Sequence, residues 1–174
     1  MQKDEAMRFL QEKDIQMTTD SFWHSMHEND PQVIKAMLSA GFPANTDMRG
    51  MSALMLAVRN YDGNDAGQRE IIQVLIDFGA DVNFKDENGT TPFFFAAENC
   101  DLILIQAMIK AGAVLEVKAK GGATTLTQAA MGNKVETVRL LLKSGYKLKN
   151  EPDWLMNSTK NPEILAMLRK AGAK

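Results

Sequence analysis

Apolar positions in this chain recur as paired short helical stretches, each pair closed by a glycine. Second-helix apolar pairs stand at Met37-Leu38, Leu75-Ile76, Met108-Ile109 and Leu141-Leu142, and the same register gives Leu168-Arg169. Ahead of each lies a first stretch with a small-residue or short apolar pair: Ser25-Met26, Ala57-Val58, Ala96-Ala97, Ala129-Ala130 and Met156-Asn157. The closing glycines are Gly41, Gly79, Gly112, Gly145 and Gly172, at spacings of 38, 33, 33 and 27. Such self-similarity predicts stacked helix-turn-helix units, each too small to bury its own apolar face alone. Residues 3–17 predict one further amphipathic helix, with Ala6, Met7, Phe9 and Leu10 on one side, capping the first unit.

Local chemistry supports those boundaries. Ser52, Thr91 and Thr124 open first helices and can accept free backbone N–H groups, with Pro92 in a first turn. The terminating glycines suit the left-handed residue that ends a helix. The units read as about 19–49, 50–88, 89–121, 122–150 and 151–174, after a capping segment 1–18, all in a single domain 1–174. Unit two carries extra residues between its helices, within Tyr61-Asp62-Gly63-Asn64-Asp65-Ala66-Gly67-Gln68, a stretch of turn composition. Unit five lacks most of its connecting hairpin, and its second helix carries Arg169 and Lys170, as suits a terminal cap.

Thr91-Pro92-Phe93 with Phe94 matches the Thr-Pro-Leu-His opening of ankyrin repeats, and Gly79-Ala80-Asp81-Val82-Asn83 matches their Gly-Ala-Asp-Val-Asn ending without a change. With five registers in phase, residues 19–174 resemble the ankyrin repeat family. The resemblance implies an all-α ankyrin-repeat solenoid of helix-turn-helix units joined by hairpin loops.

Charge adds an asymmetry. The net charge is −2, so no overall attraction to nucleic acid or acidic membranes is expected. Residues 60–101 nevertheless hold nine acids against two bases, and residues 134–174 nine bases against four acids. Both a plain solvated surface and steering of a partner with complementary poles fit this pattern. Cys100 is the single cysteine, which leaves no intrachain disulfide and no cysteine-based metal site. The start, MQKDEAMRFLQEKD, lacks an apolar core and does not read as a signal peptide. No stretch has the length of a membrane span. A soluble cytoplasmic protein is expected, or a periplasmic one if the leading Met stands where a signal peptide was removed.

Catalytic chemistry is not expected. His24 and His27 are the two histidines, one helical turn apart, with no third metal ligand in view. Both lie on one helix, so a Ser/Cys–His–carboxylate arrangement has few routes to assembly. Asp62-Gly63-Asn64-Asp65 lacks calcium-loop spacing, and Gly121-Gly122 is followed by no Lys-Ser/Thr. No cofactor and no metal are expected. Cys100 falls near the turn between the helices of unit three and is read there as a simple substitution rather than a redox group.

The family's partner surface is implied to be a concave face made of hairpin tips and exposed sides of first helices. Carried across by register, it gives Met48, Arg49, Met51, Arg59 and Asn60 in unit two, and Glu87, Asn88, Thr90, Glu98 and Asn99 in unit three. Unit four contributes Lys120, Gly121, Ala123 and Met131, and unit one Met17, Thr19, His27 and Glu28. Adaptable methionines and arginine anchors suit such a surface. Phe95 is placed near the concave side, Phe93 in the core, and Phe94, Trp23 and Trp154 between units. The function implied is non-enzymatic protein binding. Its concrete form is a masking, self-protection inhibitor over the active cleft of a partner enzyme such as a bacterial hydrolase, monomeric when free. A scaffold, adaptor or host-directed effector is the alternative.

Overall fold

In the computed structural model, residues 1–99 and 101–173 are described, apart from the side chain of Asn150. The expectation for Cys100 lies outside them. The chain divides into two compact units, Met1–Asp81 and Val82–Lys174.

The first unit starts with α1 (Lys3–Glu12), shorter than the predicted 3–17. Lys13 ends it, and Asp14 takes a left-handed φ of 54°. Ala6 and Leu10 are buried, whereas Met7 is 47% exposed, so the buried stripe is narrower than the periodicity implied. Two helical pairs follow: α2 (Thr19–His27) with α3 (Pro31–Ala40), and α4 (Ala53–Asn60) with α5 (Ala66–Asp77). α3 lies at the centre of the unit, packed on α1, α2 and α5. Between the pairs, β1 (Asp47–Met48) and β2 (Met51–Ser52) form an antiparallel hairpin, with Asp47 opposite Ser52 and Met48 opposite Met51.

The extra residues of this unit do not form one long loop. Asp65 accepts the Gln68 N–H and starts α5 at Ala66, so the predicted insertion is divided between a five-residue connection and a longer helix. α5 has 12 residues, against nine in each corresponding helix of the second unit. Asp62 Oδ1 takes the N–H groups of Asn64 and Asp65, and Tyr61 turns inward to 4% exposure.

The second unit repeats the pattern with α6 (Pro92–Asn99), α7 (Leu102–Lys110), α8 (Thr125–Met131) and α9 (Val135–Lys143). α6 packs on α8, and α9 on α7, α8 and α10 (Pro162–Lys170). The small residues explain the close stacking: Ala96, Ala97, Ala129 and Ala130 are fully buried. Ser52, Thr91 and Thr124 accept the N–H three residues on, as expected of caps. The five terminating glycines all have positive φ, from 78° to 108°. Polar rungs join successive repeats: Asn45 Oδ1 accepts the Asp81 N–H in the first unit. In the second, Asn83 both accepts from Val114 N–H and donates to the Gly112 carbonyl.

The last repeat departs from the prediction. Its first helix is reduced to two 3-10 turns, Leu148–Asn150 and Leu155–Asn157. The spacing of 27 from Gly145 to Gly172 is too short for a hairpin and two helices, and Pro152 removes a backbone donor. Trp154 therefore lies on no helix face and is 39% exposed instead of packed. Among the described residues, no helix is long and apolar enough to cross a membrane.

Candidate functional site

The side chains singled out by register fall in both units. In the first, the β1–β2 hairpin turns through Arg49 and Gly50, at φ 52° and 78°. Two successive left-handed residues make the tight hairpin turn whose twist matches the strands, a turn that favours Asn-Gly. Arg49 occupies a position ordinarily given to Asn, and its side chain is exposed at the tip. Met48 beside it is 39% exposed. Met51 is half-buried, and its Sδ receives Arg59 Nη1 at 3.5 Å, which joins the hairpin to the last turn of α4. Arg59 and Asn60 are exposed there, so the structure brings together the five residues predicted for this repeat.

In the second unit, Asp86 organises the first hairpin tip. Its Oδ1 accepts the N–H groups of Asn88 and Thr90, and its own N–H reaches the Thr90 carbonyl. Glu87 and Asn88 are left exposed at the tip. Thr90 is drawn into the base of the turn and is 5% exposed, which corrects its placement on the contact surface. The next tip is tied to this one by Lys120 N–H donating to the Asn88 carbonyl at 2.9 Å. The Lys120 side chain is exposed.

Phe93 and Phe94 are buried, and Phe95 is half-buried with its ring edge-on to Phe94 at 5.6 Å. Glu98 and Asn99 are also half-buried, because the next repeat's turn presses on them. A Cβ on Gly132 would stand 2.6 Å from the Glu98 carbonyl, and Lys134 Nζ donates to the Asn99 carbonyl at 3.1 Å. Met131, beside Gly132, is 54% exposed. Glu98, Asn99 and Met131 are thus held at one turn-to-turn contact.

Of the residues predicted for repeat one, Met17 is half-buried and Thr19, His27 and Glu28 are exposed. His27 Nδ1 lies 3.3 Å from Glu28 Oε1. Among the described residues, no group of three His, Cys, Asp or Glu side chains is placed to hold a metal ion.

Two polar arrangements were not anticipated. Glu151 accepts from Thr124 Oγ1 and Tyr146 Oη, each at 2.7 Å. Burial pushes its carboxyl above the usual range, partly offset by these two bonds, and burial together with Glu151 pushes the Tyr146 hydroxyl up. Both residues lie in the connection where hairpin residues were thought missing. The second is a cleft of about 320 Å³ in the first unit, between α2, α4, α5 and the hairpin. Asp65 lies behind it. Its carboxyl is held below the usual range by the Gln68 N–H and by Asn29.

The family comparison agrees with this geometry. A family model described as ankyrin repeats in three copies matches residues 62–153, over half of the chain. A putative ankyrin repeat protein of Acanthamoeba polyphaga mimivirus is 38% identical over 81 residues, which are 45% of this chain and 10% of that protein. The NF-kappa-B inhibitor cactus of Drosophila yakuba is 29% identical over 83 residues, 43% of this chain and 15% of that protein. Cactus of Drosophila melanogaster is matched to the same extent. The chain spans only a small part of the length of these curated relatives. Its phased caps and glycines, its alanine-lined helix contacts and the matched repeats identify it as a member of the ankyrin repeat family.

Proposed function

We propose that this chain is a non-enzymatic protein-binding module that acts by occupying its partner. The observation that carries this reading is the outward set of unlike side chains held by rigid elements: Met48 and Arg49 at a tight hairpin tip, Arg59 and Asn60 on α4, Lys120 and Met131 in the second unit. Backbone supports that are already formed spare the loop-ordering cost of binding, and arginine is a frequent interface anchor. In the second unit, Glu87, Phe95, Glu98 and Asn99 add to the contacts proposed there, with Thr90 bracing the hairpin turn from within.

The finer form of the proposal is a masking inhibitor of an enzyme, with a bacterial hydrolase that needs self-protection as its concrete case. One similar protein carries the name NF-kappa-B inhibitor, so inhibition is represented among relatives that share the repeats. The test is capture from native extract with wild type and with an Arg59→Glu/Met131→Glu variant, followed by assay of the captured protein. An enzyme retained by wild type, lost by the variant and inhibited in the complex supports the reading. A retained protein whose activity is intact, or which binds a second partner simultaneously, favours a scaffold instead.

A further inference from the structure

The first hairpin tip of the second unit carries the chain's one Asn-Gly pair, Asn88-Gly89, and Asn88 is exposed there. Asparagine is among the thermally labile residues, and a following glycine leaves its backbone nitrogen unshielded by any Cβ. That nitrogen can attack the asparagine side chain and close a cyclic imide. The Gly89 nitrogen bonds to Asn88 Cγ and gives up its proton, the Cγ–Nδ2 bond breaks, and ammonia leaves with that proton. Water then opens the ring at either carbonyl. One opening gives aspartate. The other gives isoaspartate, in which the chain runs through Cγ and the former main-chain carbonyl carbon is left as a carboxylate. Water is the only co-reactant.

In the folded chain the Asn88–Gly89 peptide group is held from both sides. Gly89 N–H donates to the Asp86 carbonyl at 3.0 Å, and the Asn88 carbonyl accepts from Lys120 N–H at 2.9 Å. Glu87 and Asn88 keep negative φ while Gly89 stands at 75°, so the tip is a type I turn followed by a left-handed glycine. In such a turn ψ of the third residue is about 0°, which points the next nitrogen away from that residue's side chain. Asp86 Oδ1 braces the turn further by taking the Asn88 and Thr90 N–H groups at 2.9 and 2.8 Å. Ring closure needs the peptide group to swing about the Asn88 Cα–C bond, and that swing breaks both of its hydrogen bonds at once. The side-chain amide is in water, so backbone restraint, not access, limits the reaction.

We infer that Asn88 is a self-modification site gated by the contact between two hairpin tips. It deamidates when the Lys120 tip parts from it and the Asp86 turn opens, and it resists while both are closed. Local openings of this kind cost less than global unfolding. The change runs one way. Isoaspartate lengthens the main chain by a methylene and turns the carbonyl that received Lys120 N–H into a carboxylate off the chain, so the two tips no longer close as before. Either product adds a negative charge beside Glu87. The site rests on the hairpin alone. Its effect on a partner rests on the protein-binding reading, in which Glu87 is a contact.

For the test, the full chain is incubated at neutral pH, native and unfolded in guanidinium chloride, and conversion at each asparagine is followed by peptide mass mapping. Asp62-Gly63 can form the same ring, but it releases water and returns to its original mass, so the mass gain of amide loss reports asparagine. The expected result is that Asn88 converts first in the unfolded chain and at least about tenfold more slowly in the native one. Asp86→Ala, shown to be folded by circular dichroism, should speed native conversion at Asn88 at least about fivefold and leave the other asparagines unchanged. Should that variant not fold, wild type carries the test. Denaturant below the unfolding transition should then raise Asn88 conversion in step with hydrogen exchange of the Gly89 amide. Native conversion as fast as unfolded would mean no gate and overturn the inference. So would a folded Asp86→Ala variant with the wild-type rate, another asparagine converting first in the unfolded chain, or a conversion rate that stays flat while Gly89 exchange rises. None of these readouts involves a partner, so failure here leaves the capture experiment standing, and a failed capture leaves this measurement unaffected.

Discussion

Arg49 is held in left-handed backbone, where a long side chain is disfavoured by about 1–2 kcal/mol. Among the described residues, the other non-glycine residues in that region are Asp14, Asn29 and Asn133, types that tolerate it. The strain is retained where it presents a cation at a hairpin tip, a pattern found at functional positions. Arg49→Asn should therefore raise stability by about 0.5–1 kcal/mol in urea unfolding while weakening partner binding. A variant that gains stability and binds unchanged would remove Arg49 from the contact. Gly132 presents the opposite case. Its backbone is ordinary, at φ −70°, but a side chain would meet the Glu98 backbone. Gly132→Ala should cost about 2 kcal/mol by forcing two repeats apart, measured by thermal or urea unfolding. None of this was legible from composition. The sequence marked Arg49 as a contact through its register, but its backbone strain comes from the two-residue turn that Met48 and Met51 close. Thr90 was misplaced for a related reason, because the Asp86 carboxylate gathers that tip more tightly than a repeat alignment can express.

At the scale of the element, helix ends were the most readable features. Ser52, Thr91 and Thr124 cap as their chemistry requires, and the terminating glycines take the backbone that side chains resist. Connections between elements were less readable. The extra residues of the second repeat became half loop and half helix because Asp65 captures the Gln68 N–H. The last first-helix shrank to 3-10 turns, and there Tyr146, Glu151 and Thr124 make a contact linking two repeats. Glu151 has a carboxyl pKa raised above its ordinary 4.5, chiefly by burial. A carboxyl raised by folding favours the native state while protonated. Its contribution is full below the unfolded value and is lost as pH rises through the folded value. Glu151→Gln should remove that slope. Relative to the variant, wild type should lose urea resistance as pH climbs above about 4.5 toward neutrality. Parallel curves for the two proteins would show that Glu151 is not the titrating group.

For the whole molecule, the repeat family was plain from the sequence because the stacking chemistry recurs at a fixed period, and alanines and glycines at fixed offsets have few other uses. The partner surface was legible only as positions. Whether Phe95, Glu98 or Thr90 is open to solvent depends on how the neighbouring turn packs. Charge makes a separate demand: nine acids against two bases over residues 60–101, and nine bases against four acids over 134–174. If these poles steer the partner, raising salt should slow association by about tenfold or more with little change in dissociation, as measured by stopped flow. Equal effects on both rates would make the charge mere solvation. The central claim is that the outward side chains of these repeats bind a protein. Its most direct test is calorimetric titration of the captured partner into wild type and into a folded Met48→Glu/Met131→Glu variant. The expected result is a loss of affinity of about tenfold or more, the size of one interfacial anchor. Affinities within about twofold of each other would contradict the account.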